Sequence, residues 1–103
     1  MKLVAVTACP TGVAHTYMAA KGLENGASKY GVEIHVETQG QTGIGNELTP
    51  EQIREADAVI LTNDIALKNV ERFEGKPTVR VHCDDCIAKG GSIVKTLMKK
   101  LGE

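Results

Sequence analysis

The spacing of hydrophobic residues divides the chain into alternating strands and helices. The apolar run Leu3–Val6 is typical of a buried parallel strand, and from Val13 to Tyr30 apolar residues recur at helical spacing. Residues 58–61 form another continuous apolar run, which predicts a central strand. Residues 32–37 and 78–82 alternate apolar and polar positions instead, as strands at a sheet edge do. The pattern predicts four strands, two central and two at the edges.

Polar and glycine positions predict what connects these strands. In the second strand the alternation places Glu33, His35 and Glu37 on a solvent-facing side. The glycine-containing stretch 39–47 then predicts a polar loop. A short helix through Ala56 is expected next, because Thr49 and Gln52 form a capping box and Pro50 occupies the first helical position. One or two helical turns are expected within residues 68–73. The last helix is expected to begin at Ser92, after Gly90 and Gly91.

This alternation predicts an α/β fold, in which a four-stranded parallel sheet is flanked by helices. If the two apolar runs are central, the strand order is 2-1-3-4. Such a sheet has its topological switch between strands one and three, and ligands bind there, outside the carboxyl ends of the strands. The loop after strand one lies at that point. We expect residues 1–103 to form one domain.

Cys9 lies in this loop, between the first strand and the first helix. Gly12 permits a sharp turn, Pro10 fixes φ, and the amides of residues 11–16 can line a concavity beside the sulfur. The positive end of the helix dipole stabilises a thiolate before reaction and a phosphate afterwards. The loop therefore predicts a nucleophilic cysteine in a phosphate loop, a position open to phosphatase, redox or carrier chemistry.

Charge and composition exclude several functions. The net charge of -1, without a cluster of basic residues, argues against nucleic-acid binding. No stretch is long enough to span a membrane and no signal peptide precedes the first strand, so we expect a cytoplasmic protein. An odd number of cysteines, three, favours reduced thiols over a disulfide framework. A chain of 103 residues is too small for a separate substrate domain, so we expect a large substrate to be bound together with a partner protein.

The run Ala8-Cys9-Pro10-Thr11-Gly12-Val13-Ala14-His15-Thr16, followed by Met18-Ala19-Ala20, closely resembles the fructose-type enzyme IIB of the bacterial phosphoenolpyruvate-dependent sugar phosphotransferase system. Similar positions continue along nearly the whole chain, at residues 36–40, 43–44, 46–49, 56–57 and 71–76. The resemblance implies that Cys9 accepts a phosphoryl group from a phosphohistidine of enzyme IIA. It also implies transfer to fructose or a fructose-like sugar delivered through the membrane-embedded enzyme IIC, without a cofactor.

The resemblance also assigns roles to individual residues. Cys9 is the nucleophile and phosphocysteine carrier. His15 is expected either to donate to the phosphate or to pack at the first helical turn. Gln39 and Gly40 either contact the phosphate or a partner, or form a turn. The expected phosphate cradle comprises Pro10, Thr11, Gly12, Val13, Ala14, His15 and Thr16, through backbone amides and the hydroxyls of Thr11 and Thr16.

The main alternative is a hydrolase, because low-molecular-weight protein tyrosine phosphatases also carry a cysteine phosphate loop on a small parallel sheet. Those enzymes need an arginine six residues after the nucleophile, where this chain has His15. They also need a carboxylic acid, for which Asp64 or Asp84 is the candidate. A second alternative is a binding module in which Cys9 is incidental, but the loop lacks the lysine of a nucleotide P-loop.

Cys83 and Cys86 depart from the pattern of the family, whose corresponding segment ordinarily lacks a cysteine pair. A Cys-x-x-Cys pair suggests zinc or redox chemistry, but a structural zinc site normally shows a second pair of ligands. We therefore expect no metal site here, and two ordinary thiols near the end of strand four.

Overall fold

The computed structural model of the chain describes residues 1–41 and 43–102; Thr42, in the predicted loop, and Glu103 lie outside the described residues. The elements, in chain order, are β1 (Lys2–Thr7), α1 (Val13–Lys29), β2 (Glu33–Gly40), β3 (Gly43–Gly45), α2 (Pro50–Glu55), β4 (Ala58–Thr62), a 3₁₀ helix (Val70–Phe73), β5 (Thr78–Val81) and α3 (Cys83–Lys100). The capping box at Thr49 is present and opens α2, as predicted.

The sheet is five-stranded and mixed, in the order β3-β2-β1-β4-β5. Its four parallel strands follow the predicted order, with β1 between β2 and β4 and with β5 beside β4. The prediction of a purely four-stranded parallel sheet is wrong, because the glycine-containing stretch folds back. Gly43–Gly45 pairs antiparallel with the end of β2, with Gly40 opposite Gly43. This added strand, rather than β2, forms the edge.

The core has two layers, one on each face of the sheet. Leu3 and Ala5 of β1 face α1 and α3, whereas Val4 and Val6 face the side covered by α2 and the 3₁₀ helix. Successive strand residues point to opposite faces, so a run that is apolar throughout fills both layers. β4 is likewise buried at every position. This arrangement confirms the two central strands read from the sequence.

Glu37 is fully buried, which contradicts the prediction that it faces solvent. Its carboxylate accepts two hydrogen bonds from the Arg72 guanidinium, of 2.8 Å at Oε1 and 2.6 Å at Oε2. The Leu48 amide and the Gln39 side chain donate to the same carboxylate. Two-residue alternation reports which face a side chain is on, but not whether another segment covers that face. Here residues around Leu48 and Arg72 do.

The last helix begins at Cys83, so the predicted start at Ser92 is wrong. Gly90 and Gly91 lie inside α3, next to Lys89, whose φ of -134° breaks the helical geometry. At Gly90 a Cβ would collide with the backbone carbonyl of Gly22 in α1, and at Gly22 one would collide with that of Cys86. The two helices thus touch backbone to backbone, and glycine serves here as a packing residue rather than as a helix boundary.

We expect Gly90→Ala to destabilise the protein by about 1–3 kcal/mol, because the new methyl group meets backbone that cannot rotate away. Gly91→Ala is the matched control. A Cβ at Gly91 would contact only the Tyr30 ring, at 3.8 Å, so helix propensity should stabilise this variant by up to about 1 kcal/mol. Urea unfolding of both variants measures the difference; equal stabilities would contradict a close α1–α3 contact.

Candidate functional site

Cys9 lies directly after β1, at the carboxyl edge of the sheet between β2 and β4. This is the predicted topological switch point. The Thr62 hydroxyl at the end of β4 accepts a hydrogen bond from the Ala8 amide, at 3.0 Å, and so ties the start of the loop to the central strand. The Cys9 side chain is mostly buried, with 6% of the residue surface exposed. The cysteine is therefore held in a fixed place at the rim of the sheet.

Thr16 anchors the loop from the first turn of α1. Its hydroxyl accepts a hydrogen bond from the Cys9 amide, at 3.0 Å, and donates one to the Gly12 carbonyl, at 3.2 Å. The Thr7 hydroxyl donates to the Thr16 carbonyl from below. Because the Thr16 hydroxyl both accepts from and donates to the loop backbone, this side chain fixes the conformation of the loop. The Thr11 hydroxyl, by contrast, is exposed.

Most backbone amides at the start of α1 have no intramolecular acceptor among the described residues. Gly12 is the N-cap with φ of +120°, a conformation that glycine adopts readily, and neither a side-chain cap nor an acidic first-turn residue is present there. The Gly12 and Thr16 amides donate to loop carbonyls. The other amides of the segment have no acceptor among the described residues: those of Thr11, Val13, Ala14 and His15. Unsatisfied amides at a helix N-terminus attract a phosphate.

His15 points towards α3. Its Nε2 lies 3.1 Å from Asp84 Oδ1 in the first turn of that helix. Both side chains are partly or largely exposed, so the contact contributes little to stability. The imidazole occupies the position at which a phosphatase would present a guanidinium fork, and it offers no bidentate clamp for a phosphate.

Gln39 and Gly40 lie at the end of β2. The Gln39 amide group donates to the Lys68 carbonyl at 3.0 Å and accepts from the Lys68 amide at 2.8 Å. This pair of bonds fastens the segment after β4 to β2, so the Gln39 side chain is a structural clamp. Gln39 and Gly40 both line a cavity of about 150 Å³ beside the loop, together with Val13 and Tyr17.

Asp64 caps α3 instead of facing the loop as an acid. Its Oδ1 accepts a hydrogen bond from the Cys83 amide, at 2.8 Å. A side-chain oxygen that accepts from a helix N-terminal amide has a structural role. The candidate proton donor of a phosphatase is thus engaged elsewhere.

Cys83 is joined to Cys9 by a disulfide, so the expectation of reduced thiols is wrong for these two residues. As expected, Cys83 lies near the end of the fourth parallel strand, β5, and it is also the first residue of α3, at the same sheet edge as the loop. The 74-residue separation hides this proximity from sequence patterns. Cys86 remains a free, buried thiol, as expected. Among residues 1–41 and 43–102, no cluster of three or more candidate ligands for a metal ion occurs.

An exposed apolar patch adjoins the loop, and sequence reasoning missed it. Val13, Tyr17 and Met18 of α1 and Ile44 of β3 are each 39–55% exposed. The helical spacing placed Val13 and Tyr17 on one stripe with Leu23, but only the later part of that stripe is covered. The buried face of the first turns consists of Thr16, Ala19 and Ala20. Exposed apolar side chains grouped around a site are typical of protein contacts.

Comparison with known proteins gives the family. A family model described as "PTS system, Lactose/Cellobiose specific IIB subunit" matches residues 4–96. The chain is 51% identical over 102 residues to the "PTS system fructose-like EIIB component 2" of Escherichia coli strain K12, covering 99% of this chain and 96% of the relative. It is 52% identical over 79 residues to the "PTS system fructose-specific EIIB'BC component" of the same organism, covering 77% of this chain but only 14% of that longer protein.

A solved structure agrees with these relatives. The solution structure of an enzyme IIB subunit of the PTS system from Escherichia coli K12 superposes with a TM-score of 0.91 and is 39% identical, covering 97% of this chain and 93% of that one. In the described residues no helix is both long and apolar enough to cross a membrane. The chain therefore belongs to the IIB family of the sugar phosphotransferase system, in which it is a fructose-type EIIB component and a phosphotransferase.

Proposed function

We propose that Cys9 carries the phosphoryl group, accepting it from a phosphohistidine of enzyme IIA and passing it to fructose or a fructose-like sugar. The observation that supports this most directly is the position of the Cys9 sulfur at the uncapped N-terminus of α1. The free amides of the loop neutralise the charge of a thiolate, and afterwards that of the attached phosphate.

In the first step the Cys9 thiolate attacks phosphorus. The sulfur–phosphorus bond forms while the phosphorus–nitrogen bond of the donor histidine breaks, and the imidazole nitrogen keeps the electron pair and takes a proton. The amides of Val13 and Ala14, which have no acceptor among the described residues, bind the phosphoryl oxygens during transfer in this proposal. The Cys9 thiol has to be free for this step, so the reduced chain is the active carrier.

In the second step a sugar hydroxyl attacks the phosphocysteine. The oxygen–phosphorus bond forms, the sulfur–phosphorus bond breaks, the sulfur leaves as the thiolate that the loop stabilises, and the hydroxyl proton passes to water. Enzyme IIC is the proposed source of the sugar. A relative named as an EIIB'BC component supports this choice, because it combines B and C components in one chain. We accordingly place this domain at the cytoplasmic side of the membrane.

The apolar patch of Val13, Tyr17, Met18 and Ile44 is the proposed docking surface for these protein partners. It borders the loop on the side of the 150 Å³ cavity, so a partner seated there brings its own reactive group towards Cys9. Apolar and aromatic side chains supply most of the affinity of protein interfaces.

The hydrolase alternative finds no support in the geometry. His15 stands where a phosphatase has its arginine and contacts Asp84, and Asp64 accepts from the Cys83 amide, so both candidate carboxylic acids already have partners. A carrier benefits from this, because a water molecule that attacked the phosphocysteine would waste the transfer.

To test the proposal, the reduced protein is mixed with phosphoenolpyruvate, the general phosphotransferase proteins and a fructose-type enzyme IIA. We expect one phosphoryl group per chain by intact mass, located on Cys9 by peptide mass, because Cys9 is the cysteine of the loop that leads into the uncapped N-terminus of α1. A control without phosphoenolpyruvate should show none. Phosphate on another residue, or rapid steady hydrolysis of an aryl phosphate by the chain alone, would refute the carrier role.

A further inference from the structure

The structure brings together two of the three cysteines of the chain. Cys9 and Cys83 are bonded through their sulfur atoms, and their Cα atoms are 6.1 Å apart, within the usual range for a disulfide. One is the residue proposed to carry the phosphoryl group, and the other has no part in that reaction. The bond therefore occupies the sulfur that the carrier needs.

Cys83 is held in place independently of this bond. Its amide donates to Asp64 Oδ1, at 2.8 Å, and its sulfur lies 3.4 Å from the Ala8 carbonyl, the group immediately before Cys9. In the reduced protein the Cys83 thiol can donate its proton to that carbonyl. The same position thus suits a resting thiol and a partner for the Cys9 sulfur, without rearrangement of the backbone.

Cys86 provides a contrast within the same helix turn. It is fully buried and unbonded. Burial, with smaller contributions from Asp85 and Asp64, raises the pKa of its thiol to about 12, so it stays protonated and unreactive. Among the cysteines, we therefore expect oxidation only at Cys9 and Cys83.

From this arrangement we infer that Cys83 is a resolving cysteine, with which Cys9 forms a reversible disulfide when a peroxide oxidises the protein. The inference rests on the proposed function, because it makes oxidation a switch that turns the phosphoryl carrier off. The site is a modification site of two residues: one reactive sulfur at the rim and one buried sulfur behind it.

The reaction consumes one hydrogen peroxide. The Cys9 thiolate attacks one peroxide oxygen, the oxygen–oxygen bond breaks and hydroxide leaves, which gives a sulfenic acid. The Cys83 sulfur then attacks the Cys9 sulfur. The sulfur–oxygen bond breaks, and the departing hydroxide leaves as water with the Cys83 proton. The two thiols lose two electrons, and a dithiol reductant returns them.

Burial decides the order of these events. Cys9 retains 6% exposure and Cys83 only 1%, so peroxide and reductant meet the sulfur of Cys9. Cys83 needs no access to solvent, because it reacts inside the protein. Capture of the sulfenic acid by Cys83 also prevents further, irreversible oxidation of Cys9 to sulfinic or sulfonic acid. The disulfide therefore inactivates the phosphoryl carrier reversibly and also protects Cys9 from irreversible oxidation.

The test treats the reduced protein alone with hydrogen peroxide, removes the peroxide, and then measures disulfide linkage and phosphorylation separately. Peptide mass without reduction should show Cys9 linked to Cys83, with the intact chain lighter by two hydrogen atoms. Phosphorylation through enzyme IIA should fall by about tenfold or more and recover fully after dithiothreitol. Cys86→Ala is the matched control, and it should behave as the wild type does.

Cys83→Ala should give no linkage. Its Cys9 should react with a sulfenic acid trap and, without the trap, should lose phosphorylation in a way that dithiothreitol does not restore. Cys83→Ser serves the same purpose with a hydroxyl that can bond to the Ala8 carbonyl, should the alanine variant be unstable. Linkage of Cys9 to Cys86, linkage between chains, or full recovery of the Cys83 variants would overturn the inference. The disulfide is measured by mass, independently of phosphorylation. A phosphate found on a residue other than Cys9 would therefore refute the proposed function, but the disulfide measurement would still test this inference.

Discussion

Cys9→Ser is expected to lower phosphoryl transfer from enzyme IIA to sugar by about three orders of magnitude or more, because a serine hydroxyl is not ionised near neutral pH and is a poor leaving group. The fold should be unaffected, since the anchoring bond from residue 9 to Thr16 uses the backbone amide. The measurement is the rate of sugar phosphate formation in the reconstituted system under reducing conditions.

Cys83→Ala is the matched control for this loss. Both substitutions remove the disulfide, but only Cys9→Ser removes the proposed nucleophile. The Cys83 variant should therefore keep transfer within about twofold of the wild type in the presence of a reductant. If Cys9→Ser transferred phosphoryl groups at a rate similar to that of Cys83→Ala, another residue would have to carry the phosphoryl group.

Arg72→Met is expected to destabilise the protein by about 3–5 kcal/mol, because it leaves the Glu37 carboxylate buried without its counter-ion. The guanidinium makes both strong hydrogen bonds to this carboxylate and lies 4.7 Å from the Phe73 ring centroid. Arg80→Met, at an exposed arginine of β5, is the control and should change stability by less than about 0.5 kcal/mol. Urea unfolding near neutral pH gives both values.

The pH dependence of stability distinguishes an ion pair from simple packing. Burial alone would raise the pKa of Glu37, but hydrogen bonds from Arg72, Gln39 and the Leu48 amide outweigh burial and hold it below its ordinary value of 4.5. A group whose pKa is lowered by folding stabilises the protein above its unfolded pKa, and this contribution is lost as the pH falls through the folded value. Wild-type stability should therefore decline below about pH 4.5 through this pair, and Arg72→Met should lack that part of the decline. Parallel pH profiles of the two proteins would argue against the pair.

Local patterns sufficed for much of the fold and for the loop. Apolar runs predicted β1 and β4, the capping box predicted α2, and the junction of strand and helix marked Cys9. These signals depend on neighbouring residues alone. The parallel order followed from them, because buried and half-buried strands differ in their alternation.

The features that were missed depend on contacts between distant segments. The burial of Glu37 requires Arg72, and the pairing of Cys9 requires Cys83. The glycines were ambiguous for the same reason. Gly43 belongs to a strand, whereas Gly90 lies in a helix and is so close to the neighbouring helix that a Cβ would collide with its backbone. A sequence pattern shows that glycine is present but not which backbone approaches it.

The backbone contact between α1 and α3 has a consequence for how this domain can vary. Where Gly22 and Gly90 meet, no larger residue fits, so this face of the sheet has almost no freedom to drift. On the opposite face Val4, Val6 and Leu61 pack with side chains of α2 and with Phe73, and apolar side chains of this kind can exchange volume with one another. The distance between the two helix starts, and with it the spacing of the sulfur pair, is thus insulated from repacking elsewhere. Substitutions on the surface and in the layer that contains α2 can therefore change the partners of the protein while the geometry of the Cys9 and Cys83 site is kept.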